Sequence, residues 1–303
     1  MKLQHGMRGP LVKGNLMLEN FTDMLEDARK NKYGIGCINT PNLEYLRALI
    51  EAAEEVNVPL IIDHAEVHDS LIPLESMAPY MIEFAKKASV PVAVHVDHGE
   101  SMNFIVRGLR AGYSSVMYDC SALPLEENIR RVRDFVEMVH PAGVSVEGEL
   151  GVMPSTLDDT HGGSGGVAPY TDPEAAARFV EETGVDALAV TFGTSHGVYV
   201  EEPKVDLDHL RTLDEATGNV PLVMHGSSGV PIPDIQKAIN LGVSKVNYYS
   251  YLAVDSSKFA AERMAENDSE GVPTFYHELV EEVYAHTKNQ AIDLLRDFKN
   301  GHE

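Results

Sequence analysis

Eight short apolar runs, separated by amphipathic stretches along 303 residues, constrain this chain more than any other feature. They span residues 35–39, 60–64, 92–96, 115–118, 144–149, 187–192, 222–225 and 245–248. Each is short and bounded by turn residues, as expected of a strand buried on both faces. Helical periodicity fills the gaps, as in 43–55 and 173–183. The first of these follows Thr40-Pro41, an N-cap type of residue with proline at the first helical position. The second opens with Thr171-Asp172-Pro173 and stops at Thr183-Gly184. Strands and helices alternating in this way predict an α/β fold, a (β/α)8 TIM barrel. One or two extra C-terminal helices are expected over 273–298, beyond the barrel, where a partner subunit can pack on them. No shift in composition divides the chain, so residues 1–303 are expected to form a single domain. An open doubly wound sheet fits less well, because no glycine-rich dinucleotide loop follows the first strand.

With 47 acidic and 24 basic residues, the formal net charge is −23 and no basic cluster forms, which argues against nucleic acid or an anionic membrane as partner. No apolar run is long enough to span a bilayer, and the first residues lack the apolar segment of a secretory signal. The two cysteines, Cys37 and Cys120, are placed within predicted strands and suit reduced thiols in a cytoplasmic protein.

Three of the runs end in the same pair: His98-Gly99, His196-Gly197 and His225-Gly226. Barrel enzymes gather their catalytic groups where strands end, and three imidazoles make a Zn2+ ligand set that leaves the fourth position for a substrate oxygen. Other ionisable or polar residues fall at strand ends too: Asp97 beside His98, Asp119 after the fourth strand, Glu147 and Glu149 on the fifth, Asn247 on the eighth. His95 points away from its neighbours by strand alternation and reads as a core histidine. After the seventh strand, Gly226-Ser227-Ser228-Gly229 is small enough for backbone N–H groups to approach a phosphate, with Asn247 and Ser250 as further donors. The stretch 153–170, rich in Gly, Pro, Ser and Thr and carrying Asp158-Asp159, reads as a long loop of the sort that serves as a lid.

Taken together these segments resemble the class II, metal-dependent ketose-bisphosphate aldolases, of the fructose- and tagatose-bisphosphate aldolase type. Matching stretches run nearly end to end, among them Tyr33-Gly34-Ile35-Gly36, Ala111-Gly112-Tyr113-Ser114-Ser115, Tyr170-Thr171-Asp172-Pro173, Gly193-Thr194-Ser195-His196-Gly197-Val198-Tyr199 and Gly242-Val243-Ser244-Lys245-Val246-Asn247. The resemblance implies that His98, His196 and His225 hold a catalytic Zn2+ and that Asp97 exchanges a proton with the oxygen at the bond being cleaved. It implies either a second, buried divalent ion at Asp119 and Glu149 or a role for them in ordering the first. Gly197, Gly226, Ser227, Ser228, Asn247 and Ser250 match phosphate- and ketose-binding positions, with a monovalent cation (Na+ or K+) nearby. The reaction implied is reversible cleavage of a ketose 1-phosphate or 1,6-bisphosphate to dihydroxyacetone phosphate and an aldehyde, through an enediolate that the metal stabilises. No Schiff-base lysine is then needed, and Lys245 is read as beginning its strand rather than ending it. A cytoplasmic homo-oligomer, dimer or tetramer, is the expected assembly.

The chain departs from the family at its substrate edges. The loop glutamate that handles the proton on the enediolate carbon is missing, leaving Asp158, Asp159 or His161 in its place. Where the family often offers a serine after the second strand, Asp63-His64-Ala65-Glu66 stands. The acidic residue of the fructose enzymes after the eighth strand is absent, and the tail shows no counterpart of the arginine that binds the far phosphate. Two alternatives follow: the same aldol chemistry on a deoxy or acid sugar phosphate lacking the distal phosphate, or a non-catalytic sugar-phosphate-binding homologue.

Overall fold

The apolar runs form β1 (Ile35–Asn39), β2 (Leu60–Ala65), β3 (Val92–Gly99), β4 (Ser115–Tyr118), β5 (Ser145–Leu150), β6 (Ala187–Val190), β7 (Leu222–Met224) and β8 (Val243–Asn247) in a computed structural model that describes residues 17–151, 170–199 and 201–302. Each strand pairs in parallel with the next, and β8 returns to pair with β1, so the sheet closes into a barrel in sequence order. The helices are α1 (Phe21–Asn31), α2 (Leu43–Val56), α3 (Leu74–Lys87), α4 (Met102–Ala111), α5 (Leu125–Val139), α6 (Pro173–Thr183), α7 (Leu207–Thr217), α8 (Ile232–Asn240), α9 (Ser250–Glu270) and α10 (Tyr276–Lys299). The (β/α)8 barrel expected from the alternation is therefore the observed fold. Among the described residues no helix is long and apolar enough to cross a membrane.

Strand periodicity separates two cores. Outward residues such as Ile62, Val94, Val96, Val116 and Leu188 pack under the helices in one large cluster. Inward residues Ile35, Cys37, Ile61, Ala93, Ala187, Ala189 and Val223 form a second cluster with Phe21, Met24, Leu25 and Ala28 of α1. α1 thus closes one end of the barrel, and the small alanines on β3 and β6 leave room for its Phe21 ring. Asn20 caps this helix by accepting from the Thr22 N–H.

Two local expectations are corrected. α2 is capped not by Thr40 but by Asn42, whose side chain accepts from the Tyr45 N–H at 2.9 Å. The Thr40 hydroxyl instead donates to the Asp63 carbonyl on β2, so a tertiary contact has claimed it. Cys120 lies two residues past the end of β4 rather than within a strand; it and Cys37 are free and buried. The tail holds one long helix, α10, which packs on its own barrel: a Cβ added at Gly36 of β1 would meet Leu295 at 3.0 Å and Phe298 at 3.6 Å. Hydrogen bonds tie α10 to the first helical layer, where the Tyr284 hydroxyl donates to Glu51 and the Arg47 guanidinium lies 4.2 Å from the Tyr284 ring centroid.

Candidate active site

Strand alternation alone cannot bring both Asp97 and His98 to the barrel mouth, because neighbours on a strand face opposite ways. Here β3 breaks its register against β4 between Val96 and Gly99, and His98 takes a positive φ of 41°. A left-handed backbone at a residue with a side chain costs about 1 kcal/mol, and it is spent where it turns His98 and Asp97 toward one site. Gly99 follows because β4 leaves no space: a Cβ there would lie 2.9 Å from the Met117 carbonyl oxygen. His95 shares the interior face with Asp97, two residues on; it is fully buried, with Nδ1 3.0 Å from the Ser115 hydroxyl, as a core histidine should be.

The three strand-end histidines converge. Ring centroids of His98 and His225 are 4.6 Å apart, those of His98 and His196 4.9 Å, and those of His196 and His225 5.7 Å. One ligand-type nitrogen from each lies within 4.8 Å of the others. His98 Nδ1 sits 2.9 Å from Asp119 Oδ2, and His225 Nε2 sits 2.8 Å from Glu147 Oε1. Ionised carboxylates only accept, so each of those nitrogens carries a proton. The remaining nitrogens, His98 Nε2 and His225 Nδ1, face each other at 3.0 Å. Ring nitrogens that close share either a proton or a metal ion between them. Tetrahedral zinc with bonds of about 2.0–2.1 Å holds its nitrogens roughly 3.3 Å apart, so the donor set and its spacing fit a zinc ion.

Charge around the site is paired. Asp97, almost fully buried, accepts from the Asn247 amide at 3.2 Å. Burial would raise its pKa, but His98, Lys245 and His225 outweigh that and hold it well below the usual carboxylate range. Burial likewise works against a charged His98, yet Asp97 and Asp119 push its pKa up to about 10. For Asp63, on the same interior face, burial dominates and Asp97 adds to it, so its carboxyl is pushed well above the ordinary value. Asp119 and Glu149 form a second candidate metal group, which shares His98 with the first. Asp119 also accepts from the Ser121 N–H at 3.0 Å, so it is held in place to orient His98.

The loops after β6, β7 and β8 meet beside these histidines. Gly226 has φ 62°, and a Cβ there would come within 2.3 Å of the Ser195 carbonyl oxygen, so only glycine lets the two loops touch. Tyr199 joins them: its oxygen accepts from the Ser195 N–H and its hydroxyl donates to the Gly226 carbonyl, both at 2.8 Å. The Ser227 hydroxyl donates to the Asn247 carbonyl and the Ser228 oxygen accepts from the Tyr249 N–H. Gly197 lies in the β6 loop next to His196, and Ser250 begins α9, whose first-turn N–H groups have no partner within the helix. Of the four residues 63–66 at the end of β2, Glu66 is committed to structure, accepting from the N–H groups of Glu100 and Ser101 and from the Ser101 hydroxyl. His64 is buried against Phe104, and burial brings its pKa down to about 4. Asp158, Asp159 and His161 lie outside the described residues.

Comparison with known proteins agrees with this fold. The family model described as class-II fructose-bisphosphate aldolase matches residues 19–300. The chain belongs to that family. It is 37% identical over 288 residues to protein YdjI of Escherichia coli K12, covering 93% of this chain and 98% of that one. It is 38% identical over 256 residues to the fructose-bisphosphate aldolase of Staphylococcus aureus Mu50, covering 84% and 88%. The crystal structure of the YdjI aldolase superposes with a TM-score of 0.80 at 35% identity, over 94% of this chain and 98% of that one. The protein is thus an aldolase, a lyase, and its strand-end histidines stand where a barrel enzyme keeps its chemistry.

One feature of the aldolase escaped the sequence reading. Lys245 does not begin β8; it sits in mid-strand, fully buried in the barrel interior, with Nζ 2.8 Å from Glu147 Oε2 and 2.8 Å from Asn247 Oδ1. Burial works against its charge, but Cys37, Glu147 and Asp97 hold its pKa above the ordinary lysine value. Period-two alternation was the available signal: Lys245 and Glu147 each lie two residues before a mouth residue, Asn247 and Glu149, and so share their face one layer deeper.

Proposed function

We propose that this aldolase is zinc-dependent and cleaves a ketose 1-phosphate or 1,6-bisphosphate reversibly to dihydroxyacetone phosphate and an aldehyde. The observation that carries the reading is the convergence of His98, His196 and His225, with the His98 and His225 nitrogens 3.0 Å apart and each backed by a carboxylate. Zinc held there would act as a Lewis acid on the substrate oxygens and offset the negative charge that carbon–carbon cleavage leaves behind. Asp97, ionised and held by Asn247, takes the proton from the hydroxyl at the bond being broken and returns it in the condensing direction. The N–H groups of the 226–228 loop and the start of α9, with Asn247 and Ser250, receive the phosphate, and a monovalent cation beside Gly197 and Gly226 is part of this proposal. Asp158 or Asp159, or else His161, is assigned the proton at the carbon of the dihydroxyacetone phosphate half. Asp119 and Glu149 are assigned the second divalent ion, or the ordering of His98.

A second substrate class deserves equal trial. Glu66 is used up as a structural acceptor, and residues 63–66 hold no serine, so that edge offers no hydroxyl there to a distal phosphate. A deoxy or acid sugar phosphate without that phosphate suits such an edge. The enzyme is further placed in the cytoplasm as a homo-oligomer, dimer or tetramer, in keeping with its two free, buried cysteines. Metal analysis with a retro-aldol assay over a panel of ketose mono- and bisphosphates tests the reading. Zinc near one ion per chain, with chelator-reversible release of dihydroxyacetone phosphate, is expected. Ligand binding without turnover on any member would instead mark a sugar-phosphate binder.

A further inference from the structure

The barrel interior beneath the site holds a fully buried lysine that the reaction just described does not use. Lys245 Nζ forms an ion pair with Glu147 Oε2 and donates to Asn247 Oδ1, both at 2.8 Å. Neither contact is arbitrary. An ammonium has donors and no acceptor, so the Asn247 side chain must turn its oxygen toward Lys245. Its NH2 group then has one direction left, toward Asp97 Oδ1 at 3.2 Å and His225 Nδ1 at 3.3 Å. On the other arm, Glu147 is pinned by Lys245 through Oε2 and presents Oε1 to His225 Nε2 at 2.8 Å. A carboxylate accepts only, so His225 keeps its proton on Nε2 and turns the bare Nδ1 to the site. Glu147 and Lys245 are both fully buried, and no solvent competes for either bond.

We infer that Lys245 is a positioning residue that orients, from below, both the metal-facing nitrogen of His225 through Glu147 and the Asp97 carboxylate through Asn247. One side chain thereby couples the ligand set to the acid/base group, although His225, Asp97 and Asn247 come from three different strands or their ends. The inference rests on the zinc aldolase reading. It excludes a second use of Lys245, as an imine-forming nucleophile, because its nitrogen is engaged below the mouth by an anion and an amide oxygen.

Lys245→Met alone would leave Glu147 as an unpaired buried charge, so the test is the double variant Lys245→Met/Glu147→Gln, in which both charges go together. Zinc affinity, read by competition with a chromogenic chelator, is expected to fall about 10–100-fold. At saturating zinc, kcat is expected to fall at least about tenfold with KM changed less, since Asp97 loses its orientation while the phosphate loops remain. Unaltered zinc affinity overturns the Glu147 arm, and unaltered zinc-saturated kcat overturns the Asn247 arm. A variant that does not fold leaves the decision to the zinc-loaded wild-type protein. There, nitrogen-15 long-range spectra are expected to place the His225 proton on Nε2; a proton on Nδ1 overturns the inference. Borohydride trapping of dihydroxyacetone phosphate on Lys245 overturns it as well. Wild-type protein that binds no zinc would sink the parent reading instead, so the two failures are told apart.

Discussion

The two halves of the barrel interior share three strands, β2, β3 and β7, and almost no chemistry. Toward the α1 end the inward positions are Ile35, Ile61, Ala93, Ala187 and Val223, closed off by Phe21 and Leu25. One or two layers on, β2, β3 and the end of β7 present Asp63, His95, Asp97 and His225, and β5 and β8 add Glu147 and Lys245, all buried. An apolar layer is stabilised by area alone and tolerates any well-packed shape. A buried charged layer is stable only when every donor meets an acceptor, so it fixes directions as well as positions. The plug supplies stability and the charged layer supplies orientation, with the metal-binding mouth resting on the second.

That contrast can be broken or sharpened by experiment. The largest effect is expected at the mouth: Asp97→Asn should lower kcat about 10²–10⁴-fold while the melting temperature stays near that of the wild type. Zinc removal should abolish turnover, and added zinc restore it; both are read in a coupled assay for dihydroxyacetone phosphate. Next, Phe21→Ala should cost about 3–5 kcal/mol of stability in denaturant titrations, with kcat per folded molecule unchanged. A proportional fall in kcat would mean that the two halves are not separable. A smaller effect is expected at Gly226→Ala, where the new methyl must displace the Ser195 carbonyl; kcat/KM for a phosphorylated ketose should fall by about 10–100-fold with zinc content unchanged.

The smallest effect belongs to neither half. On the outer face Arg107 pairs with Asp69 at 2.7 Å and with Glu75 at 2.6 Å. Hydrogen bonds from Arg107 lower both carboxyl pKa values, that of Glu75 to about 2. Such depressed groups contribute stability above the ordinary carboxylate pKa of about 4, and lose it as pH falls through their folded-state values. Arg107→Met should therefore cost less than about 1 kcal/mol at neutral pH, and the gap from wild type should close as the pH approaches about 2. A gap that widened on acidification would reverse the assignment.

Much of this was written locally. β1 and β4 end where the apolar runs end, and the others differ by one to three residues, because parallel strands buried on both faces need continuous apolar sequence. Asp172 and Gly184 bound α6 as their residue types demand. The Thr40 cap failed because Asp63, distant in sequence, supplied a better partner for the hydroxyl. The role of α1 was also out of reach, since an amphipathic helix does not say which cavity it fills.

The strand count, the parallel barrel, the three strand-end histidines and the aspartate beside one of them could be read from residue order alone. Each of these follows from period and residue type over a few neighbours. Only the tertiary structure decided that β3 breaks register so that Asp97 and His98 face one point, and that Lys245, Glu147 and Asn247 meet beneath it. Those outcomes depend on barrel closure, which brings together residues as far apart in the chain as Asp97 and Asn247, separated by 150 positions. Hydrogen-bond direction, unlike hydrophobic periodicity, is a property of the pair and not of either residue.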